Sequence, residues 1–142
     1  MDITDLKPGL RHSRTIAVTD NLTVPAQAQI FDPATEMPPV FATAQMIAFV
    51  EWTCVAALAP YLASGQRTLG TRVEMSHSAA TAVGMRVTAA VELVEVDGRR
   101  LRFKVECRDE ADVIGEGFHE RVIVEYDRFL ARLARKRASG PL

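Results

Sequence analysis

The chain has 142 residues, 48% of them hydrophobic and 25% charged, with a formal net charge of -1. That length suits one domain with a real core and argues against a second. The near-neutral balance excludes the global basic footprint of a nucleic-acid-binding protein, and two cysteines without metal-ligand spacing, Cys54 and Cys107, read as buried thiols rather than a disulfide or a metal site.

The opening MDITDLKPGLRHSR is polar and lacks the apolar core of a signal peptide, and the apolar stretch 40–62 is broken by Thr43, Gln45, Glu51 and Thr53. A cytoplasmic protein without a membrane span is expected, with His12 on its surface. A strand is expected over 15–20. Prolines at 25, 33, 38 and 39 make 24–39 a predicted loop or lid segment. From 42 to about 62, continuous apolar content without glycine predicts one long helix, with Thr43 near its start and Pro60 near its end. Being apolar all round, it reads as a core helix.

Glu51 is the only charged side chain between Glu36 and Arg67. On a helical wheel at about 100° per residue, Ile47, Cys54, Val55, Leu58 and Leu62 fall within roughly 60° of it. A carboxylate among such neighbours is costly unless paired or solvated, and desolvation raises its pKa toward the range useful to a base. Glu51 therefore reads either as placed for chemistry or as one half of a structural pair with an arginine.

Downstream to 126 the pattern is that of antiparallel strands. Leu69, Thr71, Val73, Met75 and His77 alternate with Gly70, Arg72, Glu74 and Ser76, the period-two signature of a strand with one buried face, which points His77 inward. A second strand over 87–96 joins, through an Asp97-Gly98 turn, a third in which Leu101, Phe103, Val105 and Cys107 alternate with charged residues. A last strand over 113–126 sets Gly115, Gly117, His119, Arg121 and Ile123 on one face, and its glycines imply close approach of another backbone or a ligand. The tail predicts an amphipathic helix over 126–138 whose basic residues, Arg128, Arg132, Arg135, Lys136 and Arg137, complement the helix dipole or recognise phosphate.

One central helix followed by four antiparallel strands, with another strand ahead of it, predicts an α+β hotdog fold, a sheet wrapped around a buried helix. Several short motifs then become informative together: VFAT at 40–43, EW ahead of Cys54, APYL at 59–62, LGT at 69–71, HSAAT at 77–81, GRRL at 98–101 and IGEGFHER at 114–121. From about residue 40 to 129 the chain resembles the hotdog acyl-CoA thioesterases of the fluoroacetyl-CoA thioesterase type. The resemblance implies catalytic roles for Thr43, Glu51 and His77, and places Gly70 and Arg121 at the acyl end of the site. It also implies a homodimer with sites at the subunit interface, a small acyl-CoA as substrate, and neither a metal nor a redox cofactor. The segment between Val24-Pro25 and Val40-Phe41 is shorter than in the fluoroacetyl-CoA enzyme, where aromatic lid residues cover the acyl group. Phe31, with Ile30 and Met37 nearby, is the comparable material here, so fluoroacetyl selectivity is not implied.

These residue types also suit the chemistry on their own terms. A thioester needs an activated oxygen nucleophile, donors for the oxyanion and a hold on the acyl group. Glu51 suits a base, His77 a proton shuttle or donor, and Thr43 a nucleophile or a positioner of water. Each has a structural alternative: Thr43 as an N-cap, His77 as a core histidine, and Arg121 as a charge partner of Glu51. Arg99, Arg100, Arg102 or the basic tail are the candidates for the CoA phosphates. The competing classes are a non-catalytic acyl-CoA-binding dimer and an enoyl-CoA hydratase, although no equivalent of a hydratase Asp and His pair is present.

Overall fold

Met46, Phe49, Val50, Thr53, Cys54, Ala57 and Leu58 are the buried residues of a helix, α2, that runs Thr43–Leu58. Their spacing of alternating threes and ones is a single stripe at helical period. The stripe packs with residues from 87 to 93 and 101 to 107, and with Ile114 and Ile123, into one apolar cluster. The computed structural model describes residues 1–140; residues 141 and 142 of the expected single domain lie outside them. Around α2 the elements are β1 (Arg11–Ala17), α1 (Val24–Phe31), β2 (Gln66–Met75), β3 (Arg86–Asp97), β4 (Arg100–Arg108), β5 (Val113–Glu125) and α3 (Tyr126–Ala138). The five strands form one antiparallel sheet in the order β1-β3-β4-β5-β2. This is the hotdog arrangement expected from the sequence.

Several boundaries differ from expectation, each for a physical reason. Residues 24–31 of the expected loop are the helix α1, with Pro25 in its first turn, where a missing N–H costs nothing. Only 32–39 remain irregular. The excursion is pinned at its base, where the Val24 N–H donates to the Val40 carbonyl at 2.9 Å and Thr23 bridges Phe41. The central helix stops at Leu58 and tightens into a single 3-10 turn over Ala59–Tyr61, because Pro60 has no N–H for the carbonyl one turn back. The first strand lies earlier than 15–20, over Arg11–Ala17, and its polar residues face solvent. In the hairpin the turn residues are Gly98 and Arg99 rather than Asp97 and Gly98, since Asp97 already pairs with Arg100. Gly98 takes φ 59° at the first central position, as a type II′ turn requires.

The strand β2 shifts register against β5 between Gly70 and Arg72, leaving Thr71 as an extra residue. Before this bulge Thr68 and Gly70 share a face with Ile123 and Arg121; after it Val73 and Met75 share that same face with His119 and Gly117. The single alternation predicted for 69–77 is therefore two alternations of opposite phase. Beyond the bulge, Gly115 and Gly117 have no room for a side chain. A Cβ on Gly115 would meet the Ser76 carbonyl oxygen, and one on Gly117 the Glu74 carbonyl oxygen and the Met75 Cα. The close approach implied by these glycines is made by the β2 backbone. Both cysteines are free and buried, and burial pushes each thiol up to about 12.

Gly117→Ala is expected to destabilise the fold by about 1–3 kcal/mol through this backbone clash, read as a lower urea midpoint. Gly65→Ala, where a Cβ meets nothing within 4 Å, should stay within about 0.5 kcal/mol of the parent. Equal midpoints for the two variants would show that the contact with β2 does not constrain Gly117.

Candidate active site

The first turn of α2 carries Thr43, but its hydroxyl does not cap the helix: Ala42 occupies the N-cap position and no side chain bonds there. Thr43 Oγ1 lies instead 2.7 Å from His77 Nδ1. The chain holds His77 firmly just past β2, because the amides on either side, Ser76 and Ser78, donate to the Glu116 and Ile114 carbonyls at 2.9 and 2.7 Å. Burial lowers the pKa of His77, with the Ala79 backbone opposing, so the neutral ring is favoured. In the tautomer where Thr43 donates to Nδ1, the ring proton sits on Nε2. That nitrogen is buried and has no partner among the described residues. The pair lines a cleft of about 250 Å³ with Val24, Val40, Phe41 and Ser78.

Glu51 belongs to a second group. It stands eight residues further along α2, about 12 Å up the helix axis from Thr43 at 1.5 Å per residue, far outside hydrogen-bond reach of it. Its Oε1 is 4.0 Å from His119 Nε2, and its side chain is 37% exposed. The expectation of a desolvated carboxylate is corrected here: α2 buries one stripe only, and Glu51 sits beside it, with Trp52 on the open side at 62% exposure. Gly70 lies beneath. A Cβ built there would be 2.7 Å from Glu51 Oε1, 3.2 Å from His119 Cε1 and 3.3 Å from Arg121 Nη1.

Arg121 is 6% exposed. Its Nε donates to Thr68 Oγ1 at 2.9 Å and its Nη2 to the Thr68 carbonyl at 2.8 Å, while Nη1 lies 3.1 Å from His119 Nε2. His119 Nδ1 lies 2.8 Å from the Arg72 carbonyl oxygen. A carbonyl accepts only, so Nδ1 bears the ring proton and Nε2 offers a lone pair to Arg121. Burial lowers the pKa of His119, with the Arg121 cation acting in the same direction and the Arg72 carbonyl and Glu51 opposing. Burial also lowers that of Arg121, against the attraction of Glu51.

The structure thus joins Thr43 with His77, and Glu51 with Gly70 and Arg121, without bringing the two groups together inside one chain. Phe31 lines neither: it ends α1 at 81% exposure. Of the candidates for the CoA phosphates, Arg99 pairs with Glu125 and both Arg100 and Arg102 with Glu120. Arg128, Arg132 and Arg135 line a cleft of about 540 Å³ above Val122 and Val124, and have no carboxylate partner among the described residues. Thr68 escaped the sequence reading; its signal was its place diagonal to Arg121 across the β2–β5 ladder. Among the described residues no cluster of three or more His, Cys, Asp or Glu side chains converges to hold a metal.

A curled antiparallel sheet around one helix, with these side chains on its inner face, is the architecture of the hotdog thioesterases. A family model described as fluoroacetyl-CoA-specific thioesterase matches residues 18–127. The fluoroacetyl-CoA thioesterase of Streptantibioticus cattleyicolor is 45% identical over 105 residues, which are 74% of this chain and 76% of that protein. A solved structure of the fluoroacetyl-CoA thioesterase FlK superposes with a TM-score of 0.88 at 39% identity, covering 92% of this chain and 97% of that one. A thioesterase-superfamily protein of Thermus thermophilus superposes with a TM-score of 0.86 at 28% identity, over 96% and 97% of the two chains. The chain belongs to the fluoroacetyl-CoA-specific thioesterase family, as an acyl-CoA thioesterase.

His77 and His119 both have folded pKa values below the ordinary 6.5. Between the folded and unfolded values the unfolded chain binds more protons, so their contribution is fully present above about pH 6.5 and is lost as pH falls below it. The urea midpoint should drop between about pH 7.5 and 5.5, and His119→Gln should flatten part of that drop, leaving the share of His77. An unchanged slope in the variant would show that His119 titrates alike in the folded and unfolded chains.

Proposed function

We propose that this acyl-CoA thioesterase hydrolyses a small acyl-CoA at a site shared between two copies of the chain, Thr43 and His77 coming from one and Glu51, Gly70 and Arg121 from the other. The observation that carries this reading is the buried His77 Nε2, which has no hydrogen-bond partner among the described residues, while the one carboxylate of the helix that carries Thr43 stands about 12 Å from Thr43 by helix geometry. A second copy related by a two-fold axis supplies that carboxylate. The open face of α2, where Ile47, Ala48, Val55 and Ala56 are half-buried and Trp52 is exposed, supports such a partner, as does the unpaired edge of β2 with Val73 at 39% exposure.

In this site the Thr43 hydroxyl donates to His77 Nδ1, which takes the proton as oxygen attacks the thioester carbonyl, whether that oxygen is Thr43 Oγ1 or a water it holds. Glu51 of the partner subunit accepts from Nε2, fixes the tautomer and stabilises the imidazolium. The proton then passes from His77 to the departing CoA thiolate. Direct attack by water gives the free acid and CoA at once; where Thr43 Oγ1 is acylated, a water then attacks the ester, His77 takes its proton and returns it to Thr43 as the acyl–oxygen bond breaks, and the free acid leaves. Gly70 leaves a notch beside Arg121 for the acyl end, and Arg128, Arg132 and Arg135 are the cations free to meet the CoA phosphates. With Phe31 turned to solvent, an aromatic cover over the acyl group is not part of the reading, and the substrate class is a small acyl-CoA rather than fluoroacetyl-CoA in particular.

Thiol release from acetyl, fluoroacetyl, propionyl, longer straight-chain and phenylacetyl thioesters of CoA tests this directly. Glu51→Gln should lower kcat by about 10²–10⁴-fold while leaving ligand affinity in place. Absence of release from every thioester, by a folded wild type, would move the weight to acyl-CoA binding without turnover. Sharing of the site is tested by unfolding and refolding inactive Thr43→Ala and Glu51→Gln together. Random pairing should restore about a quarter of the wild-type rate, since half the dimers are mixed and each of those holds one intact site. No recovery, from a mixture shown to contain mixed dimers, means each chain builds its own site.

A further inference from the structure

We infer that His119 is the positioning residue that aims Arg121 at the acyl end of the site, by presenting an unprotonated Nε2 to the guanidinium; the inference rests on Arg121 lying at that end. Arginine is long and has many rotamers, and burial of its charge in one orientation requires acceptors fixed in space. Two are supplied by Thr68, through its hydroxyl to Nε and its carbonyl to Nη2. Both lie toward one side of the guanidinium, so on their own they leave Nη1 unheld. His119 Nε2, at 3.1 Å from Nη1, is the third point. Three points define the plane of the group. The remaining Nη1 proton then faces the notch at Gly70, where a Cβ would come within 3.3 Å of that nitrogen.

The imidazole serves this role only in one tautomer, and the fold selects it. The Arg72 carbonyl, 2.8 Å from Nδ1, requires the proton there and leaves Nε2 bare. That carbonyl is available because it follows the β2 bulge, directly beside the point where the strand changes phase. The side chain of His119 is itself fully buried, so water does not replace either partner. The charged groups facing it are few: Arg121 from its own strand and Glu51 from α2, with Glu120 adjacent in sequence. Glu51, at 4.0 Å from the same Nε2, is a second acceptor facing a lone pair. The nearby Arg121 charge offsets that repulsion through space, while its hydrogen bonds go to Thr68 and His119.

The test separates positioning from mere packing. In wild type, nitrogen NMR of the His119 ring should show the proton on Nδ1 at neutral pH; a proton on Nε2 overturns the proposal without any variant. His119→Gln, whose side-chain oxygen can accept from Nη1, should keep KM for the preferred acyl-CoA within about threefold of wild type, whereas His119→Leu should raise it tenfold or more with kcat nearly unchanged. In an Arg121→Lys background the Leu substitution should have no further effect on KM, because the group it positions is gone. Additive effects in that cycle, or equal losses for the Gln and Leu variants, overturn the proposal. If Arg121→Lys alone leaves KM unchanged in an active enzyme, the placement of Arg121 at the acyl end is what fails.

Discussion

Everything in this protein follows from how α2 is covered. The helix is apolar nearly throughout, yet the sheet reaches only the stripe from Met46 to Leu58. Five strands curled about one helix contact it from one side, and a sheet of this size cannot close around it. The stripe becomes a dry core of Phe41, Phe49, Leu93, Phe103 and their neighbours. The other flank keeps Trp52 exposed and Glu51 partly wet. A carboxylate in that boundary position stays available to an incoming group, which one sunk among Leu and Val side chains would not be.

The two polar groups on the inner face are built differently, and the difference is physical. Thr43 and His77 are held by the backbone around them, with one hydrogen bond between them and one ring nitrogen left over. Arg121 is held by Thr68 and His119 in a buried set of hydrogen bonds, with Glu51 beside it across Gly70. The two groups stand about 12 Å apart along one helix, and that separation is what the proposed sharing of a site between two copies rests on.

Much of this was legible in the sequence. The absence of glycine from 42 to 62 marked the central helix, the alternation in 101–107 marked β4, and the common face of His119 and Arg121 was visible at once. The rest was hidden for identifiable reasons. A helical wheel shows which residues are apolar but not which side the sheet will cover, so Glu51 looked more buried than it is. Prolines punctuate chains, but Pro25 in a first turn starts a helix instead of preventing one. The bulge at Thr71 has no compositional mark, since an extra residue in a strand changes only the count. Thr68 was passed over because the wrong phase was assigned to the strand that carries it.

That count has a consequence of its own. Gly70 and His77 are seven residues apart, an odd interval, and in an unbroken strand they would project to opposite sides of the sheet. They share the inner face only because one residue between them is not counted by the ladder. The two halves of the chemistry are therefore joined by parity rather than by any bond. Loss of the bulge residue alone would leave an unbroken ladder with both ends still facing the helix, whereas loss of one residue with the bulge kept would turn one of the two ends away. A change of one residue is therefore tolerated here only where the bulge absorbs it, although no residue in the interval other than Met75 packs against the core.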